Sequence, residues 1–155
     1  MKLLIKSRAT IEEVAKKPFP ERTALISITD YGCDFADLKH KPDYLLQLAF
    51  DDVDADIFLD ELDTYAPTDE DRIRIENKYH MLSDEQAKQI VDFYNKVADK
   101  VDYMVCQCEH GQSRSAAVIA AIAEYRSKNG IKIFADDRYY PNKTIFKKVF
   151  KYLAR

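Results

Sequence analysis

Cysteine and glycine are both scarce in this chain of 155 residues, which contains three of each. A small, odd number of cysteines does not provide the disulfide framework of a compact secreted domain, so we expect a reducing, cytoplasmic setting. No apolar segment approaches membrane-spanning length, and the apolar run near the start is too short for the core of a signal peptide. We therefore expect no membrane association and no secretion signal.

An excess of basic residues is also absent from the sequence. The chain has 24 Lys and Arg against 27 Asp and Glu, which gives a net charge of -3. General nucleic-acid binders usually carry a positive excess, so we expect no nucleic-acid partner. Hydrophobic residues make up 46% of the chain, which is enough for a packed interior, and the length suits a single domain over residues 1–155.

Short apolar segments alternate with segments of helical periodicity over most of the chain. The predicted strands are residues 3–5, 23–29, 44–50 and 101–106. The predicted helices are residues 11–17, a helix that starts at the capping box of Ser83 and Gln86, one from Ser115 to Asn129 and Gly130, and one after Pro141 and Asn142. This alternation predicts a three-layer α/β fold, with a mainly parallel sheet of about four to five strands flanked by helices.

Cys108 and Arg114 enclose a short loop between the fourth predicted strand and the helix that follows it. Loop amides and a helix N-terminus favour a bound anion, and the planar fork of an arginine pairs two oxygens of a phosphate at once. A free thiol is mostly protonated at neutral pH because its reference pKa is about 8.5, but these same groups favour the thiolate. The spacing therefore predicts a cysteine nucleophile that faces a bound phosphate.

Two further residues of the loop support this interpretation. Gly111 lies in mid-loop, where the backbone must curl around the anion and φ can be positive. Ser115 follows Arg114 and is placed to hydrogen-bond the thiolate when a phosphocysteine is hydrolysed. Cys106, on the preceding strand, is expected to be a small core residue. Since no histidines or cysteines are spaced as ligands, we predict no metal site.

The loop resembles the signature of the cysteine-dependent protein tyrosine phosphatases, in particular the compact dual-specificity branch and its bacterial members. The matching residues are Cys108, Gly111, Ser113, Arg114 and Ser115. The resemblance implies a tyrosine-phosphatase-like fold and a phosphomonoester hydrolase that needs no metal or cofactor and forms a phosphocysteine on Cys108. It also implies that the loop backbone and Arg114 bind the phosphate, through Glu109, His110, Gly111, Gln112, Ser113 and Arg114. The implied substrate is a phosphorylated protein or a small phosphomonoester.

The same resemblance implies a general acid, an aspartate in a loop after an earlier strand. Asp51 and Asp52 both follow the predicted strand 44–50. The run that begins at Asp51 resembles family segments in which the acid is the first residue, which favours Asp51. Bacterial members of the family often have an aspartate followed by an aliphatic residue, which favours Asp52. Asp52 ranks slightly higher and Asp51 stays open. Both begin an acidic segment, residues 51–71, with ten Asp or Glu and no Lys or Arg, which is either a solvated surface or a lid beside the site.

Two departures from the family pattern leave other hypotheses open. Gln107 stands where the family has a histidine that tunes the thiolate, so a phosphate-binding pseudo-phosphatase is the second hypothesis. Asp52 lies farther before Cys108 than in compact members, and the additional length falls at about residues 58–82. An arsenate reductase, which also places a cysteine and an arginine around such a loop, is a weaker third hypothesis. Glu109 would repel a multiply phosphorylated head group and therefore favours a monophosphate such as phosphotyrosine.

Overall fold

Four parallel strands form one sheet in the computed structural model, which describes residues 1–62 and 67–155. The strands are β1 (Lys2–Ser7), β2 (Thr23–Thr29), β3 (Tyr44–Ala49) and β4 (Tyr103–Cys108). Their order across the sheet is β1-β4-β2-β3, so β4 lies between β1 and β2. Because all of the strands run in one direction, their carboxyl ends meet at a single edge of the sheet.

Helices cover both faces of this sheet. They are α1 (Arg8–Val14), α2 (Asp56–Glu61), α3 (Asp69–Lys78), α4 (Asp84–Val97), α5 (Arg114–Ser127), α6 (Gly130–Phe134) and α7 (Lys143–Leu153). The larger core lies between one face of the sheet and helices α4, α5 and α7, and a smaller cluster joins the other face to α1. The predicted three-layer α/β fold with a parallel sheet is therefore confirmed.

Several predicted element boundaries differ from the structure. The strand expected at residues 101–106 runs instead over Tyr103–Cys108, because β4 pairs with β1 as far as Cys108 itself. The helix expected at residues 11–17 starts at Arg8, since Ser7 caps it directly after β1. The nucleophile candidate is thus the last residue of a central strand, and its backbone is fixed by sheet pairing.

The helix after the loop ends earlier than predicted. Lys128 adopts a left-handed conformation with φ 55°, and its amide donates to the carbonyl of Glu124. This closes α5 at Ser127 and not at the predicted stop of Asn129 and Gly130. Gly130 instead begins the short helix α6.

The additional length at residues 58–82 contains α3 and packs on α7. Glu76 of α3 forms an ion pair with Lys148 of α7, and Lys148 also donates to the carbonyl of Leu82 over 3.0 Å. Asp63 of the acidic segment belongs to residues 63–66, which lie outside the described residues. Among the helices that the structure describes, none is both long and apolar enough to cross a membrane.

Candidate active site

Three strand ends bring residues from distant parts of the sequence to the same edge of the sheet. β4 ends at Cys108, and the loop of residues 109–113 leads directly into α5 at Arg114. β2, beside β4, is followed by Asp30, and β3 is followed by residues 50–52. This edge is where parallel α/β sheets bind their ligands.

The thiol of Cys108 is buried and lies against a hydroxyl group. Its Sγ atom is 3.1 Å from Oγ of Ser115, which is in the first turn of α5. The structure therefore brings these two predicted site residues into contact. Cys106 is different, because complete burial raises the pKa of its thiol well above the ordinary value, with the neighbouring Cys108 adding to the effect. Cys106 therefore remains protonated at neutral pH.

The carbonyl groups of the loop are held from outside by hydrogen-bond donors. Four such bonds are present: Gln107 Nε2 to the Cys108 carbonyl (3.3 Å), Arg8 N to that of Glu109 (3.1 Å), Tyr140 N to that of Gln112 (2.8 Å) and Asn142 N to that of Ser113 (3.3 Å). In a planar trans peptide, the carbonyl and the following amide point in opposite directions. The amides of residues 109, 110, 113 and 114 therefore point away from these donors, an arrangement that suits the binding of an oxyanion.

Gly111 is required by the conformation of the loop and by its close packing. Its φ is +67°, and a Cβ at this position would lie 2.7 Å from the backbone carbon of Lys6 and 2.7 Å from the nitrogen of Ser7. Any larger residue would push the loop away from the junction of β1 and α1. The predicted role of this glycine in curling the backbone agrees with the observed geometry.

The guanidinium group of Arg114 is buried and anchored at one nitrogen. Nη1 donates to the carbonyl of Phe50 over 2.7 Å and lies 2.7 Å from Oδ1 of Asp30. Nε is buried and has no hydrogen-bond partner in the part of the chain that the structure describes. Leaving a buried donor unpaired costs about 1–3 kcal/mol, which a bound oxyanion would recover.

Asp30 is the site residue that sequence reasoning missed. The sequence indicated only a turn at residues 30–32, and nothing in it shows that β2 is the neighbour of β4. An acidic residue directly after a buried strand was the available signal, because ligand-binding residues in parallel sheets follow strand ends.

The two candidate acids occupy different surroundings. Oδ1 of Asp52 accepts hydrogen bonds from Ser113 Oγ (2.8 Å) and from Asn142 Nδ2 (2.9 Å), so Asp52 lies beside the loop. Oδ1 of Asp51 instead accepts from the backbone amide of Tyr31 over 2.8 Å and holds the turn after β2. The geometry therefore favours Asp52, the candidate that ranked slightly higher.

The remaining predicted loop residues lie at the rim. The carboxylate of Glu109 is partly offset by Arg8, whose Nη1 is 3.8 Å from it. The side chains of His110 and Gln112 are exposed, whereas Cys108 is buried. Within residues 1–62 and 67–155, no three His, Cys, Asp or Glu side chains are grouped so that they could hold a metal ion.

Gln107 forms a fully buried, uncharged link between β2 and Cys108. Its Oε1 accepts from Ser27 Oγ over 2.5 Å, and its Nε2 donates to the carbonyls of Ile28 and Cys108, each over 3.3 Å. Both ends of the amide are thereby paired. The residue in the position of the family histidine thus contacts the backbone of the cysteine without bringing a titratable group.

The chain is similar in structure, but not in sequence, to known proteins. No protein-family profile matches the chain, and no curated protein matches it in sequence. Among solved structures, the crystal structure of Tk-PTP in the active form is similar over 99% of this chain and 91% of that chain, with a TM-score of 0.47 and 14% sequence identity. A functional hypothesis therefore depends on the geometry of this chain's own residues.

Proposed function

We propose that the chain hydrolyses phosphomonoesters through a phosphocysteine on Cys108, in the manner of the protein tyrosine phosphatases of the dual-specificity branch. One observation carries the proposal: the thiol of Cys108 and the buried Nε of Arg114, which has no partner within residues 1–62 and 67–155, enclose a loop in which four carbonyls accept hydrogen bonds from residues outside positions 108–114. A nucleophile and a set of oxyanion donors are thereby combined within seven residues, 108–114. Thiolate attack on a bound phosphate needs both.

In the first step, the thiolate of Cys108 attacks phosphorus. The new S–P bond forms as the P–O bond to the leaving alcohol breaks, and Asp52 donates its proton to the leaving oxygen. Arg114 and the loop amides bind the other phosphate oxygens, whose charge they stabilise in the transition state. The loop and Arg114 supply the positive field, so the proposal requires no metal ion.

In the second step, water hydrolyses the phosphocysteine. The carboxylate of Asp52 removes a proton from the water as it attacks phosphorus, and the S–P bond breaks to release inorganic phosphate. Ser115 donates a hydrogen bond to the departing thiolate from 3.1 Å. The enzyme is thereby returned to its starting state.

The first experiment measures p-nitrophenyl phosphate hydrolysis by the wild type and by Cys108→Ser, with chelator present throughout. We expect turnover that resists the chelator and disappears in Cys108→Ser. If no turnover occurs between pH 5 and 8 while vanadate still binds, the pseudo-phosphatase hypothesis replaces this proposal. Thiol-dependent arsenate reduction by the wild type would instead favour the third hypothesis.

A further inference from the structure

The side chain of Arg8 joins the two strands that lie on either side of β4. Arg8 begins α1 directly after β1, and its Nη1 atom donates to Oγ1 of Thr29, the last residue of β2, over 3.2 Å. Neighbouring strands lie about 4.8 Å apart, so β1 and β2 are separated by roughly 10 Å. Only a long side chain can bridge this distance, and Arg8 does so at the end of the sheet where β4 leads into the loop of residues 109–113.

The backbone around Arg8 holds one side of this loop. The amide of Arg8 donates to the carbonyl of Glu109 over 3.1 Å. A Cβ at Gly111 would lie 2.7 Å from the nitrogen of Ser7, so the loop packs closely against the junction of β1 and α1. The segment that supports the loop is therefore the segment from which the Arg8 side chain extends.

The guanidinium group of Arg8 binds the turn of residues 30–35, which follows β2. Nη1 donates to the carbonyl of Asp34 over 2.8 Å, and Nη2 donates to the carbonyl of Phe35 over 2.9 Å. The hydroxyl of Thr29 also donates to the carbonyl of Asp34, over 3.0 Å. The turn is thus closed at the point where Arg8 binds it, and the planar fork of an arginine suits two successive carbonyls.

The same turn carries Asp30, which contacts the arginine of the candidate site. In the part of the chain that the structure describes, residues 31–35 have a single backbone–backbone hydrogen bond, and it joins two residues of the turn itself. The position of the turn therefore depends on side chains that bind it from outside, Arg8 at its base and Asp51 near its start. Because Asp30 lies 2.7 Å from Nη1 of Arg114, a shift of the turn would release that guanidinium group.

Two carboxylates lie near Arg8 but are not its main partners. Nε of Arg8 is 3.8 Å from the carboxylate of Glu12, and Nη1 is 3.8 Å from that of Glu109. Both distances exceed those of hydrogen bonds, whereas the three bonds from Arg8 to β2 and the turn measure 2.8–3.2 Å. The partly buried guanidinium group is therefore directed by the turn.

We infer that Arg8 is a positioning residue of the proposed phosphatase site. It fixes the turn of Asp30 relative to the loop and thereby sets the direction in which Arg114 presents its Nε to phosphate. The inference rests on the proposed function, because it takes Arg114 as the side chain that binds phosphate. Arg8 acts through Asp30 and contacts no reacting atom.

The first test measures vanadate affinity by calorimetry and kcat/KM for p-nitrophenyl phosphate. Arg8→Met removes three hydrogen bonds from a charged donor, so we expect both quantities to fall about tenfold or more. Arg8→Lys keeps the charge but loses the planar fork, and it should restore part of the loss. Arg22→Met is the matched control, because Arg22 lies before β2, at the opposite end of the sheet, and pairs with Asp102 over 3.2 Å. This control should leave both quantities unchanged.

Thermal unfolding of each variant separates positioning from a merely structural role. A lower unfolding temperature for Arg8→Met, with wild-type vanadate affinity in the folded protein, would overturn the inference. If Arg8→Met does not fold, Thr29→Val replaces it, because this change removes the hydroxyl that accepts from Arg8 and leaves the arginine in place. We expect Thr29→Val to weaken vanadate binding about threefold, and unchanged affinity would overturn the inference.

Two double-mutant cycles identify the group through which Arg8 acts. In an Asp30→Ala background, Arg8→Met should weaken vanadate binding much less than it does in the wild type, because both residues act on Arg114. In a Glu109→Gln background, the loss caused by Arg8→Met should persist. Additive losses with Asp30→Ala would overturn the inference. So would disappearance of the loss in Glu109→Gln, which would show that Arg8 serves only to offset that carboxylate.

Vanadate affinity also separates this inference from the proposed function. A wild type that binds vanadate without turning over p-nitrophenyl phosphate would refute the proposed function, and weaker vanadate binding by Arg8→Met would still support the positioning role. Wild-type turnover with equal vanadate affinity in Arg8→Met would refute the positioning role and leave the proposed function standing. A wild type with neither turnover nor vanadate binding would overturn both.

Discussion

The Nη1 atom of Arg114 and the Oδ1 atom of Asp30 are 2.7 Å apart at the carboxyl end of the sheet. The arginine side chain is buried, whereas the aspartate side chain is half exposed. Together with the carbonyl of Phe50, this contact fixes one corner of the guanidinium group and leaves Nε for a ligand. Asp30 is therefore a candidate positioning residue, acting on phosphate through Arg114.

Replacing Asp30 should impair turnover by releasing Arg114. A hydrogen bond to a charged group contributes about 1.5–3 kcal/mol, so we expect Asp30→Ala to lower kcat/KM for p-nitrophenyl phosphate by about tenfold or more. Asp30→Asn retains an acceptor and should lose less. Thermal unfolding of both variants shows whether the protein remains folded, and full activity of Asp30→Ala would refute the positioning role.

The two neighbouring aspartates should behave differently when each is replaced by asparagine. Asp52→Asn should reduce kcat by about 10²–10⁴-fold for phenyl phosphate, a poor leaving group, and by less for p-nitrophenyl phosphate. Asp51→Asn should have a small effect, because its carbonyl oxygen can still accept from the amide of Tyr31. The measurement is the dependence of kcat on the leaving group for each variant. A steeper dependence for Asp51→Asn than for Asp52→Asn would make Asp51 the general acid in place of Asp52.

Gly111 and Gly32 form a matched pair for testing loop packing. Both have positive φ, +67° and +77°, but a Cβ would collide with backbone only at Gly111, because nothing lies within 4 Å of that position at Gly32. Gly32→Ala should cost only conformational strain, about 1–2 kcal/mol. Gly111→Ala should destabilise the protein more and should abolish vanadate binding. Denaturant unfolding and vanadate titration check both, and equal effects would argue against close packing of the loop.

Gln107 should support the proposed nucleophile, Cys108, through an uncharged network. Gln107→Leu would leave the buried hydroxyl of Ser27 and the carbonyls of Ile28 and Cys108 without these partners, so we expect a loss of about 1–3 kcal/mol in unfolding free energy. The double variant with Ser27→Ala should lose less unfolding free energy than the sum of the losses in the two single variants, because the two residues share a hydrogen bond. Additive changes in urea unfolding would show that the network is not coupled.

Cys33 and Cys106 should differ in their reactivity towards iodoacetamide. Burial raises the pKa of Cys106, so its thiol should stay unlabelled in the folded protein at pH 9, whereas exposed Cys33 should react. The pKa of Cys106 is higher in the folded protein than in the unfolded chain, where it is about 8.5. The contribution of Cys106 to the free energy of unfolding is therefore complete below the unfolded pKa and is lost as the pH rises through the folded pKa. Mass spectrometry identifies the labelled sites, and rapid native labelling of Cys106 would contradict its burial.

The sequence by itself determined those features that depend on neighbouring residues. The loop between Cys108 and Arg114 is short, and the positive φ at Gly111 follows from local backbone conformation, whereas the close packing of Gly111 against Lys6 and Ser7 does not. The order of the four strands and of the helices α1, α4, α5 and α7 was also readable, because apolar periodicity is a local property. The helices α2, α3 and α6 were not predicted. Boundaries were less accurate, and β4 was placed two residues early because its end depends on pairing with β1.

Only the tertiary structure decided which distant residues complete the site. Asp30 reaches Arg114 because β2 is the neighbour of β4, and Asp52 rather than Asp51 contacts Ser113 because of how the chain turns after β3. The amide of Tyr140 likewise binds the loop only because α7 packs beside α5. Such contacts depend on the relative positions of whole strands and helices, which are set by burial of the shared core and not by the spacing of residues along the chain.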